Sequence, residues 1–236
     1  MNKIVLRNKT VFMKKHIIVS LAIFYFLSGF AQQNNHDTNG VDTTGFSKKY
    51  YHHKNQFELL PNRKKEIVFL GNSITARGNW SEWFNNKRII NRGISGDRTD
   101  GVLYRLDEVI SSKPKKIFLL IGVNDIKYKR SNEYIIRKIH QIIKRIKKKS
   151  PKTEVFIQSI LPTYGREKHR PVGKVKTINT GLKKISLKEN VKYIDLFSRF
   201  IDDSGFLNKT YSLDGLHLNG HGYLLWKQVI EKYVMK

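Results

Sequence analysis

Four short stretches hold residue types that together could cleave an ester. Ser73 stands in Gly71-Asn72-Ser73-Ile74, directly after the apolar run EIVFL. A serine just past the carboxyl end of a buried parallel strand sits at the ligand-binding edge of an open α/β sheet. Backbone N–H groups at the start of a following helix can meet an oxyanion there. The same place also suits a helix N-cap. Asp214-Gly215-Leu216-His217 puts an acid three residues before a histidine. On one side of a tight turn the carboxylate can orient the imidazole while the ring takes the serine proton. Asn124, in Gly122-Val123-Asn124-Asp125, can turn a neutral, non-titrating NH₂ toward the same edge. Gly93, in Asn91-Arg92-Gly93-Ile94-Ser95-Gly96, lets the backbone come close, so its N–H is a candidate second donor. Loop punctuation is the plainer use of Gly93 and Gly96. His217 and His221 have helix-face spacing, but Gly220 and Gly222 disfavour a helix and no acidic cluster adds ligands. No metal site is expected.

Such residues need strand ends and loops to hold them. Apolar runs predict five strands: Glu66 to Leu70, Arg88 to Asn91, Lys116 to Ile121, Glu154 to Ile160 and Val191 to Leu196. Helix-period segments fall between and after them: Asn79 to Phe84, Thr99 to Ile110, Asn132 to Lys149, Val172 to Glu189 and Gly220 to Val234. Alternating strands and helices indicate a parallel sheet covered on both faces, one three-layer α/β/α domain over residues 63–236. Residues 32–62 are polar without periodicity and read as a tether or N-terminal extension.

Gly71-Asn72-Ser73-Ile74, Gly93, Gly122-x-Asn124-Asp125 and Asp214-x-x-His217 resemble, in order, the four sequence blocks of the SGNH (GDSL-like) hydrolase family of esterases and lipases. Asn72 replaces the aspartate of the namesake motif and is not an acyl-transfer group. The resemblance implies a flavodoxin-like fold with a five-stranded parallel sheet and no cofactor. It implies Ser73 as nucleophile, His217 as base and Asp214 as its orienter. The oxyanion hole would comprise the Ser73 and Gly93 N–H groups and the Asn124 side chain. GISGDRTD, residues 93–100, is similar to the platelet-activating-factor acetylhydrolase-like and carbohydrate acetylesterase branches. That implies a secreted serine esterase removing small acyl groups, chiefly acetyl, from carbohydrates. Candidate substrate contacts are Asn72, Arg98, Tyr164 and Arg170. Arg77, Arg98, Arg166 and Arg170 either meet a substrate carboxylate or phosphate or are surface charge; Tyr164 and Trp80 either stack on a sugar or pack loops.

The rest of the sequence narrows the setting. The 236 residues are 39% hydrophobic and 27% charged, as in a globular protein, and hold no cysteine for disulfides, thiolate metal sites or lipidation. Lys14, Lys15 and His16 precede the uncharged run IIVSLAIFYFLSGF, and Gly29 and Ala31 fit a signal peptidase site. Residues 1–31 are thus expected to be a cleaved signal peptide, giving an exported periplasmic or extracellular protein without a stable membrane anchor; Met13 would also serve as a start. The formal charge is +26, and residues 1–31 hold five positive charges and no acid, leaving 26 less 5, or +21. Much of the excess lies on helical faces such as residues 137–149, without the interleaved aromatics of a single-strand-binding surface, so no nucleic acid partner is expected. Two rivals remain: a lysophospholipase or thioesterase, disfavoured by the polar loops, and a non-catalytic basic protein holding an anionic polymer, disfavoured by the complete set of catalytic residue types.

Overall fold

The computed structural model describes residues 42–166 and 170–235, so the expected signal peptide and the first part of the extension lie outside the described residues. In chain order the elements are α1 (Lys48–Leu59), β1 (Ile67–Gly71), α2 (Ser73–Ala76), α3 (Trp80–Trp83), β2 (Ile89–Gly93), α4 (Thr99–Tyr104), α5 (Leu106–Ser111) and β3 (Lys116–Leu120). There follow α6 (Val123–Lys127), α7 (Asn132–Lys149), β4 (Glu154–Gln158), α8 (Val172–Lys188), β5 (Lys192–Ile194), α9 (Phe197–Phe200) and α10 (Gly220–Val234). The five strands form one all-parallel sheet in the order β2-β1-β3-β4-β5. This is the expected α/β fold, with strand ends within two residues of those read in the sequence. After β1 the chain steps to β2 on one side and then crosses to β3 on the other. The carboxyl ends of β1 and β3 therefore flank the switch point, where an open α/β sheet has its ligand crevice.

Strand register builds one face of the core. Phe69, Phe118 and Phe156 lie opposite one another across β1, β3 and β4, and their rings stack at 5.1 and 4.5 Å. Trp80 of α3 stacks on Phe69 at 4.3 Å and meets Trp226 of α10 edge-on at 4.6 Å. Alternation along the strands turns Val68, Leu70, Ile117, Leu119, Val155 and Ile157, all buried, toward the opposite face. In α7 the residues Ile135, Ile139, Ile142, Ile143 and Ile146 form the buried stripe. Ser131 caps its first turn through the Tyr134 N–H, and Lys147, Lys148 and Lys149 end it where cations suit the helix dipole.

Two segments differ from expectation. Thr99 to Ile110 is not one helix but α4 and α5, separated at Arg105, whose backbone leaves the helical region (φ −99°, ψ 12°). Its guanidinium turns inward to Asp97 and to the carbonyls of Gly71 and Arg92, which fixes the break. Inside the polar extension, Ser47 caps α1, and Tyr50, its one buried residue, donates from its hydroxyl to the Gly101 carbonyl at 2.8 Å. Residues 42–59 thus pack on the domain and are not a free tether.

Candidate active site

The side chain of Asn72 accepts the Ile74 N–H at 2.9 Å and caps α2, so Ser73 becomes the first helical residue at the end of β1. The Ser73 N–H has no acceptor among the described residues. Its Oγ lies 3.0 Å from His217 Nε2, and His217 Nδ1 lies 2.6 Å from Asp214 Oδ2. The other Asp214 oxygen accepts the backbone N–H groups of Leu216 at 3.0 Å and His217 at 2.8 Å. Burial raises the Asp214 carboxyl, but the ring of His217 and these backbone donors outweigh it and hold the group well below the usual carboxylate range. An ionised Asp214 has only lone pairs to offer, so Nδ1 carries the ring proton and Nε2 turns its lone pair to Ser73.

Asn124 opens α6 after β3. One hydrogen of its NH₂ goes to the Asp97 carbonyl at 2.9 Å, and the second has no acceptor among the described residues. Gly93 does not fill its expected role. Its N–H is spent on Asn91 Oδ1 at 2.9 Å, and a Cβ there would stand 2.3 Å from the Ala76 nitrogen. The glycine lets α2 pack against β2; it does not face the reacting centre. Three residues on, Ile94 to Asp97 closes a turn (Asp97 N–H to the Ile94 carbonyl, 3.1 Å) with Gly96 at its third position, φ +82°. A type II turn requires that conformation. Gly96 is exposed, and its N–H has no acceptor among the described residues.

A buried polar layer supports these groups. Arg105 pairs with Asp97 at 2.9 Å, and Asp125 accepts both the N–H and the hydroxyl of Thr99. Burial pushes Asp97 up to about 6 against the opposing Arg105, and pushes Asp125 up to about 7 against the Thr99 hydrogen bonds. Between about pH 4 and pH 7 folded Asp125 therefore holds a proton that the unfolded chain has released, and stability falls as pH rises through that window. Denaturant unfolding is expected to show lower stability at pH 8 than at pH 5, with a smaller difference in Asp125→Asn. An equal difference in both proteins would exclude Asp125 as its source.

The other candidates separate. Asn72 is fully buried as a helix cap and Trp80 is core packing, so neither reaches the crevice. Arg98 is buried too; it donates to the Thr44 carbonyl at 2.6 Å and lies over the rings of Phe46 and Tyr128. Arg77 is exposed. Tyr164 stands beside the Asp214 turn, its N–H on the Gly215 carbonyl, and Arg166 donates twice to the Asp214 carbonyl. Arg170 is buried against Asn124, 3.4 Å from its Oδ1. Sequence reasoning did not assign roles to Gly96, Asp97, Thr99, Arg105 and Asp125. The acids next to Gly96 and Asn124 were the visible signal.

Residues 69–225 match the GDSL-like Lipase/Acylhydrolase family. The platelet-activating factor acetylhydrolase IB subunit alpha2 of Rattus norvegicus is 28% identical over 191 residues, 77% of this chain and 82% of its own. Two solved structures bear on the fold: a GDSL-like lipase of Bacteroides thetaiotaomicron (TM-score 0.70, 23% identity, 79% of this chain and 97% of that one) and a lipase/acylhydrolase of Enterococcus faecalis (TM-score 0.62, 24% identity, 72% and 95%).

Proposed function

Because the chain belongs to the GDSL-like lipase/acylhydrolase family, we propose that it is a serine esterase acting through Ser73, His217 and Asp214 on small acyl esters, acetyl foremost. The observation that carries this is the unbroken hydrogen-bonded chain from Ser73 through His217 to Asp214, with an N–H of Asn124 unspent after the neighbouring strand β3. His217 takes the Ser73 proton as Oγ attacks the ester carbonyl. The Ser73 N–H, the Asn124 amide and the Gly96 N–H, in place of Gly93, receive the oxyanion. The alcohol leaves with the proton from His217, and water repeats the sequence on the acyl-enzyme.

An acetyl group is supported by the name of the rat relative, an acetylhydrolase. A carbohydrate alcohol is favoured by the polar groups at the crevice, Tyr164 and Arg166. Export is part of the same reading, from the basic-then-apolar run ending at Ala31. Hydrolysis of p-nitrophenyl acetate, butyrate and octanoate by the protein beginning at Gln32, beside its Ser73→Ala variant, tests it. Rates should be highest on acetate and lost in the variant. Rates rising with chain length would move the substrate to lipids or thioesters, and activity retained in the variant would overturn the mechanism.

A further inference from the structure

Among the described residues, every buried cation but one has something to offset its charge. Arg105 has Asp97, Arg92 has Glu108 at 2.6 Å, and Lys138 has Asp100 at 2.9 Å. Lys116 donates to the carbonyls of Tyr233 and Val234 at the end of α10, where the helix dipole is negative. Arg98 lies over two aromatic rings. Arg170 has none of these among the described residues. It is 5% exposed, and its guanidinium reaches only two neutral oxygens, the Val123 carbonyl at 3.3 Å and Asn124 Oδ1 at 3.4 Å. Its Nη1 makes no hydrogen bond among the described residues. Among the described residues, the charges that act on it are Arg166, of like sign, and Asp214, which is committed to His217.

A guanidinium taken out of water without a counter-ion is strongly unfavourable, and this one borders the residue that faces the oxyanion. The oxyanion exists only during the reaction and cannot offset that burial in the resting complex. A permanent charge on the bound molecule can. We infer that Arg170 recognises an anionic group of the substrate, an ester whose alcohol carries a carboxylate or phosphate close to the acylated oxygen. The charge is assigned to the alcohol because the acyl group proposed above, acetyl, has none, so the inference rests on that reading. A guanidinium matches either oxyacid through paired N–H donors.

The test compares acetate release from acetylated oligogalacturonate, its neutral methyl ester and acetylglycerol phosphate, with p-nitrophenyl acetate as reference. Wild type, Arg170→Gln and Arg170→Lys are measured at about 0.05 M and about 0.5 M salt. Wild type should favour at least one anionic ester over the neutral one by roughly tenfold or more in kcat/KM, mainly through KM. The preferred ester tells carboxylate from phosphate. The preference should survive high salt, because a buried charge is little screened, and should collapse in Arg170→Gln and return in part in Arg170→Lys. On the unaltered protein, free galacturonate or glycerol phosphate should inhibit p-nitrophenyl acetate hydrolysis competitively where glucose does not. The inference is overturned by p-nitrophenyl acetate hydrolysis without anionic preference or inhibition. A preference that salt abolishes would trace to the overall positive charge, and an equal fall on charged and neutral esters would make Arg170 a support for Asn124; either also overturns it. Absence of Ser73-dependent hydrolysis of p-nitrophenyl acetate would instead refute the esterase reading beneath it.

Discussion

Ser73→Ala is expected to lower kcat on p-nitrophenyl acetate by roughly 10⁵-fold or more while the protein unfolds at the same denaturant concentration. The hydroxyl makes one hydrogen bond, to His217, so its removal leaves no buried charge and no cavity of consequence. His217→Ala should cost about as much, and the double variant scarcely more than either, because the two act as one unit in the attack. Asn124→Ala should lose roughly 10²–10³, the worth of one oxyanion donor. Additive losses in the Ser73/His217 double variant would mean that the 3.0 Å contact between them is not the path of the proton.

The second large effect is on stability. Arg105 links Asp97 to the carboxyl ends of β1 and β2 through the Gly71 and Arg92 carbonyls, at 3.2 and 2.7 Å. Arg105→Ala would leave Asp97 buried without its paired cation and both carbonyls without that donor. Breaking a buried pair from one side costs about 3–5 kcal/mol, a large part of a domain's net stability. The urea midpoint should fall accordingly, and fall further at pH 8 than at pH 5, since Asp97 escapes its unpaired charge by taking up a proton. Adding Asp97→Asn should recover part of the loss. A double variant no more stable than Arg105→Ala would show that the carbonyl contacts, and not the ion pair, carry the energy.

What the sequence revealed follows the range over which each feature is decided. The strands are readable because β1 and β3 are buried on both faces and so are continuously apolar. The limits of α7 and α10 were legible to the residue, since Ser131 and Asn219 cap them directly before an apolar period begins. Ser73, Asn124, Asp214 and His217 were visible as candidates because each follows a strand or occupies a turn that short motifs encode. Gly93 and Gly96 were not separable, because the choice depends on which one lies inside β2 and spends its N–H on Asn91. The break at Arg105 depends on a contact with Asp97 eight residues away, and α1 buries only Tyr50, too little to leave a period in the sequence.

The docked segment before β1 bears on where this enzyme should be said to begin. The family model matches from residue 69, and the described fold already includes residues from 42 on. Asp42 is paired with Arg130 and bonded to Asp100, the Thr44 carbonyl holds Arg98, Tyr50 holds Gly101, and Phe57 lies under Arg92 and Arg105. Three of these grips land on residues 98–101, directly after the turn that presents Gly96, and Phe57 lies under Arg105, which pairs with Asp97 in that turn. A pull on the chain at residue 42 is a load applied, through Asp42, to the first turn of the helix that follows the loop that would hold the oxyanion.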